Sequence, residues 1–137
     1  MDRLTQLLKA FENLGIIVHP DVGDDLKGIF KNSGNAQRFL SVFTMRLKQL
    51  KAYGPKATNL FSQHFEKLKG AQHYAMRCRS KNSNIRIIYN YSKEKELILL
   101  AFDRKEGKGA SDYSAFIPDA DRRYQELCQN NQEGHHE

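Results

Sequence analysis

The sequence predicts an α+β fold in which a small antiparallel sheet packs on N-terminal helices. Three observations carry this: apolar residues recur at helical spacing as far as Tyr53, the period changes to two after His73, and the strand-like runs that follow are joined by short polar segments. With 137 residues, 39% of them hydrophobic, the chain suits one domain with a single modest core. We read residues 1–128 as that domain and the polar run 129–137 as a frayed tail.

Leu4, Leu7, Leu8, Phe11 and Leu14 share one side of a helix over 2–14 that stops at Gly15. The segment GIIVHPD has room only for a brief strand, and a short helix from Asp24 then carries Leu26, Ile29 and Phe30. From Asn35 to Tyr53 the positions Phe39, Val42, Phe43, Leu47 and Leu50 make one core-facing stripe, closed by Gly54 and Pro55. Lys56 to Gly70 shows no strong period and reads as a partly ordered connection.

The runs HYAMRCRS, NIRIIYNY and ELILLAF are separated by KNS and SKEK, which predicts a three-strand meander. Alternation sets Met76 and Cys78 toward the helices and Arg77 and Arg79, joined by Arg86, on an open face. On such a face, Arg86→Ala would leave stability nearly unchanged. A basic segment loosened by Gly107 and Gly109 follows, then a short helix from Pro118 to Leu127 with Ala120, Tyr124 and Leu127 on one side.

The net charge of +6 lies wholly between Lys67 and Tyr113, where eleven Lys and Arg face five Asp and Glu. A basic excess confined to one sheet implies a polyanionic partner there, because each cation set against a phosphate releases counterions. No apolar run approaches the roughly 18–20 residues that span a bilayer, and no signal-peptide core is visible, so a cytoplasmic protein without membrane contact is expected. Cys78 and Cys128 lack zinc spacing, and Cys78 reads as a core residue. His19, His64 and His73 are far apart, no metal or cofactor is implied, and His73 reads as a surface residue at a strand end.

A metal-free site built from arginines is sufficient for one reaction in particular. RNA carries its own nucleophile, the 2′-hydroxyl; a protein must align it, take its proton, stabilise the pentavalent phosphorus and protonate the leaving 5′-oxygen. The planar, permanently charged guanidinium suits the third task.

Residues 65–113 resemble the C-terminal half of RelE/HigB-type toxins of type II toxin-antitoxin systems, in the branch grouped with phage-derived HigB-like proteins. The matching features are Leu68-Lys69-Gly70 ahead of the first long strand, basic residues at alternate positions of that strand, the Arg86 to Tyr89 pattern, an apolar strand ending in Ala101-Phe102, and a Lys/Arg-rich tail. The helix over 35–53 resembles that family's packed helix, and the helix over 2–14 looks added. The resemblance implies a small endoribonuclease that cuts messenger RNA on the ribosome and is restrained by a cognate antitoxin, with a helix-turn-helix antitoxin as one form. By position it assigns proton transfer and phosphate binding to Arg77 and Arg79, transition-state stabilisation to Arg86, a further basic role to Arg104 or Lys105, and RNA stacking or orientation to Tyr113. Lys67, Lys69, Lys81, Lys105 and Lys108 are the expected RNA-binding cations.

Where the best-known members carry lysines this chain has Arg77 and Arg79, and arginine, with a pKa above roughly 12, is a poor base. Glu66, Asp103, His73 and Tyr113 are the alternative proton acceptors. Arg86 also has a structural reading as the partner of a carboxylate on the next strand. Two other functions stay open: a ParE-like inhibitor of DNA gyrase, and a catalytically silent RNA-binding module of the same fold.

Overall fold

Five strands form one mixed sheet in the computed structural model, which describes residues 3–30, 36–80, 83–104 and 113–134. The elements run α1 (Arg3–Asn13), β1 (Ile17–Val18), α2 (Val22–Phe30), α3 (Ala36–Tyr53), a 3₁₀ turn (Gly54–Lys56), α4 (Ala57–Leu60), β2 (Phe65–Lys67), β3 (Tyr74–Ser80), β4 (Ser83–Tyr91), β5 (Leu97–Arg104) and α5 (Ile117–Gly134). The strand order is β1-β5-β4-β3-β2. The expected meander is its centre, with β1 added parallel to β5 and β2 antiparallel to β3.

Gly15, at φ 72°, lets the chain leave α1 and turn directly into β1. The stretch over 56–70, expected as a connection, instead holds α4 and β2. Three residues are too few for strand periodicity to stand out, and β2 exists because β3 offers it an edge: Phe65 pairs with Met76 and Lys67 with Tyr74.

Helices α1, α2 and α3 cover one face of the sheet, where Phe11, Leu26, Phe39, Phe43, Phe65, Met76, Cys78, Ile87, Tyr89, Leu99 and Phe102 are buried together. Cys78 is a core residue, as the alternation predicts, and Tyr89 is buried with it. The other face is not open. Helix α5 lies against it, and Ala75, Ile88, Ile98, Leu100, Ala101, Tyr113 and Ala120 form a second core there. α5 continues to Gly134, so the segment from Gln129, expected to fray, is helical over most of its length. Gln and Glu extend the helix readily, and no breaker intervenes before the glycine.

Polar clamps hold α5 in place. Arg123, 7% exposed, donates to the Asp25 carboxylate at 2.7 Å and to the Leu100 carbonyl at 2.9 Å. His73 is fully buried rather than on the surface, its Nε2 2.7 Å from Asp121 and its Nδ1 3.0 Å from the Asn90 amide. The expectation failed because the covering helix is distant in sequence.

One irregularity decides which side chains share the second face. Pairing passes from Ile88–Ala101 to Tyr89–Leu99, which leaves Leu100 as an extra residue in β5. Leu100 and Ala101 therefore both face α5, whereas Phe102 returns to the first core and Asp103 falls opposite Arg86.

Candidate functional site

On the α5 side of the sheet, beyond the second core, the register aligns charged residues in a row. Arg77 of β3 pairs with Arg86 of β4, and Arg86 pairs with Asp103 of β5. Glu66 of β2, across from Ala75, lies on the same face and joins its carboxylate to the Arg77 guanidinium. The order across the sheet is thus carboxylate, guanidinium, guanidinium, carboxylate. Two arginines at a directly opposed position repel, and the flanking carboxylates offset that repulsion.

Arg86 is 1% exposed. Its guanidinium donates to Asp103 at 2.6 Å and lies 4.8 Å from the centroids of both Tyr113 and Phe116. The expectation of an open arginine face is corrected here, because the turn that leads into α5 drops two aromatic rings onto Arg86. Arg77 is less covered, at 15% side-chain exposure, and Arg79, two residues on, is exposed. Arg79 has Asn84 as its neighbour in β4.

The ring of Tyr113 lies over Arg86. Its hydroxyl makes no hydrogen bond of regular geometry, yet it lies close enough to Arg77 and Glu66 for both charges to act on it. Burial raises the Tyr113 pKa, Arg77 pulls against that, and the net shift is upward, so the phenol stays protonated near neutrality. Burial lowers the Arg77 pKa, but Tyr113 and Glu66 outweigh it and the net shift is upward. Arg77 remains a cation and cannot take a proton.

The four alternative acceptors are thereby separated. His73 is locked between Asp121 and Asn90 beneath α5, and Tyr113 holds its proton. Asp103 pairs with Arg86 and Glu66 with Arg77, with 40% and 35% of their side chains exposed. Of the two carboxylates, Glu66 is the one beside both the less covered arginine and the Tyr113 hydroxyl.

Of the other cations assigned from the sequence, Lys67 pairs with Tyr74 and extends over its ring at 5.3 Å, on the face away from the arginines. Its Nζ donates to the Ala71 carbonyl at 2.8 Å. Lys69 is exposed in the β2–β3 turn. Arg104 ends β5 opposite Ile85; its side chain, with Lys81, Lys105 and Lys108, lies outside the described residues.

Three residues near the site were not singled out from the sequence. Phe116 is the second ring on Arg86. Arg46 of α3 is 8% exposed, and His64 precedes β2, where its carbonyl accepts the Arg77 N–H at 2.9 Å. No local signal marked His64: in HFEK the alternation stops at Glu66, too short for a strand period to stand out.

Among the described residues no group of three or more His, Cys, Asp or Glu is placed to hold a metal ion, and no helix is long and apolar enough to cross a membrane. No protein-family model, curated protein or solved structure matches this chain.

Proposed function

We propose that the protein is an endoribonuclease that cleaves messenger RNA through attack by the RNA's own 2′-hydroxyl, acting as the toxin of a toxin-antitoxin pair. The observation that supports it best is the meeting of Glu66, Arg77 and Tyr113: a carboxylate, a fixed cation and a protonated phenol beside one another at a sheet edge. In this reading Glu66 takes the 2′-hydroxyl proton, and the 2′-oxygen attacks the adjacent phosphorus. Arg77, with Arg79 beside it, bears the added negative charge. The 5′-oxygen leaves with a proton from Tyr113, giving a 2′,3′-cyclic phosphate and a 5′-hydroxyl.

Arg86 is too deeply covered to touch the phosphate in this conformation. Its role here is positioning: it holds the Tyr113 ring from below while Asp103 balances its charge. The ribosome as the place of cutting and an antitoxin as the restraining partner are implied by the resemblance of residues 65–113 to RelE/HigB-type toxins. A ribosome would also supply substrate alignment that so small a protein cannot impose alone.

The burial of Arg86 in an ion pair favours a second reading, a catalytically silent RNA-binding module of the same fold. One experiment separates the readings. Purified protein is added to a translation reaction with end-mapped messenger RNA, beside a gyrase supercoiling assay. The ribonuclease leaves cyclic phosphate ends, and a 2′-deoxy substitution at the mapped site blocks the cut. Intact transcripts with gyrase-linked DNA breaks indicate the ParE-like alternative, and inactivity in both assays indicates the silent module.

A further inference from the structure

We propose that a cavity of about 610 Å³ at the end of the sheet remote from the arginine row binds a free, uncharged, planar heteroaromatic molecule with a hydrogen-bond acceptor, the chemistry of a nucleoside. This goes beyond the ribonuclease reading and does not depend on it.

The cavity forms where two helices stop short of the strand ends. α1 is left at Gly15, φ 72°, and α3 at Gly54, φ 57°, so Tyr74, Tyr91 and Leu97 meet two turns there. Leu14, Ile16, Leu50 and Pro55 complete an apolar wall. The volume falls within the roughly 300–1,000 Å³ common for small-molecule sites. Tyr74 and Tyr91 pack on the first core, under the N-terminal helices, whereas Arg77, Arg86 and Asp103 lie on the α5 side. The two sites therefore share no side chain.

Three tyrosines give the site its chemistry. Tyr74 stacks on Tyr89 with ring centroids 5.5 Å apart, and Tyr91 stands edge-on to both, at 5.7 and 6.0 Å. Tyr74 and Tyr91 line the cavity and offer aromatic surface to a flat ligand. Behind them the hydroxyls of Tyr89 and Tyr91 are buried, and among the described residues no group accepts from either. Burial raises both phenol pKa values, that of Tyr91 to about 12, so both keep their protons and remain donors. A buried donor without an acceptor is costly, and an acceptor brought by a ligand to Tyr91, whose ring already forms the wall, removes that cost.

The rim favours neither ionic class. Lys51 donates to the Leu14 carbonyl at 2.9 Å and so offsets the weakly negative C-terminal end of α1. Lys95 and Glu96 bring opposite charges to adjacent rim positions, and α3 adds the partial negative charge of its own C-terminal end. These contributions come close to cancelling, which leaves nothing to hold a separate anion or cation. The same balance selects a free molecule over a base carried on a phosphate backbone, since a backbone site needs a cationic excess.

The test titrates the full chain with adenosine, and with ribose and adenosine monophosphate as comparators, while the tyrosine ring signals are followed by NMR at low and at high salt. Adenosine is expected to bind saturably, to shift the Tyr74 and Tyr91 rings, and to bind almost equally at both salt concentrations. Ribose should not bind, and the monophosphate should bind no more tightly than adenosine. Tyr91→Phe assigns the Tyr91 signal and removes only the unpartnered hydroxyl, so it should melt no lower than the parent while binding adenosine about fivefold more weakly. Leu14, 46% exposed, can be shortened without disturbing the core, and Leu14→Ala should weaken adenosine about threefold. Failure of adenosine to saturate, an equal response to ribose, or unchanged affinity in both variants overturns the proposal. Tighter binding of the monophosphate that falls with salt does so too, by making the cavity an anion site. A marked drop in the melting point of Tyr91→Phe would show the hydroxyl already engaged within the fold, and the argument for a ligand acceptor would fall with it.

Discussion

Arg86 and Asp103 stand opposite each other on β4 and β5, joined at 2.6 Å, with the arginine sealed and 40% of the aspartate side chain open to water. The pair exists because Leu100 is an extra residue in β5: without that bulge Asp103 would point at the helices. Its asymmetry sets what each substitution does.

Removing Asp103 takes a carboxylate away from a buried cation, whereas removing Arg86 leaves a carboxylate that water can reach. Asp103→Ala should therefore cost about 3 kcal/mol in urea unfolding, near the low end for a broken buried pair because the site is partly wet. Arg86→Ala should cost about 2 kcal/mol through lost packing against Tyr113 and Phe116. Near-neutral effects of both would mean the pair contributes nothing to stability, as first expected for an open face.

Tyr113 separates structure from chemistry. Tyr113→Phe keeps the ring over Arg86, so its unfolding free energy should stay within about 0.5–1 kcal/mol of the parent. Loss of the proton donor should slow RNA cleavage by about 10²-fold or more. Tyr113→Ala should lose both. A phenylalanine variant that cuts at the parent rate would remove the hydroxyl from the mechanism.

His73 makes stability depend on pH. Burial lowers its pKa, Asp121 raises it and Lys67 lowers it, with a net downward shift. The folded state thus prefers neutral imidazole, and this contribution is fully present above the unfolded value of about 6.5 and lost as pH falls through the folded one. Melting curves should show a decline below about pH 6.5 that His73→Gln reduces. Parallel pH profiles for the two proteins would contradict this.

Arg123 ties α5 to the body through Asp25 and the Leu100 carbonyl. Arg123→Ala leaves the Asp25 carboxylate, 19% exposed, without that cation. It should destabilise by about 3 kcal/mol. Hydrogen exchange should quicken in α5 before the central strands, and equal rates in both regions would argue against α5 as a separately anchored layer.

By itself the sequence determined α1, α2, α3 and the start of α5, the order of the three long strands and the faces of β3, because helical and period-two spacing are local properties of the chain. Met76 and Cys78 turn inward and Arg77 and Arg79 turn away, as alternation requires. It also located the net charge. Local pattern could not place Asp103, because Leu97 to Phe102 is apolar throughout and carries no parity by which a bulge would be noticed. Nor could it show that β2 forms, that His64 falls opposite Arg77, or that the second face is covered. Those depend on strand pairing and on the docking of α5 across long sequence separations, where burial of apolar surface and the closing of ion pairs outweigh the preferences of any single segment.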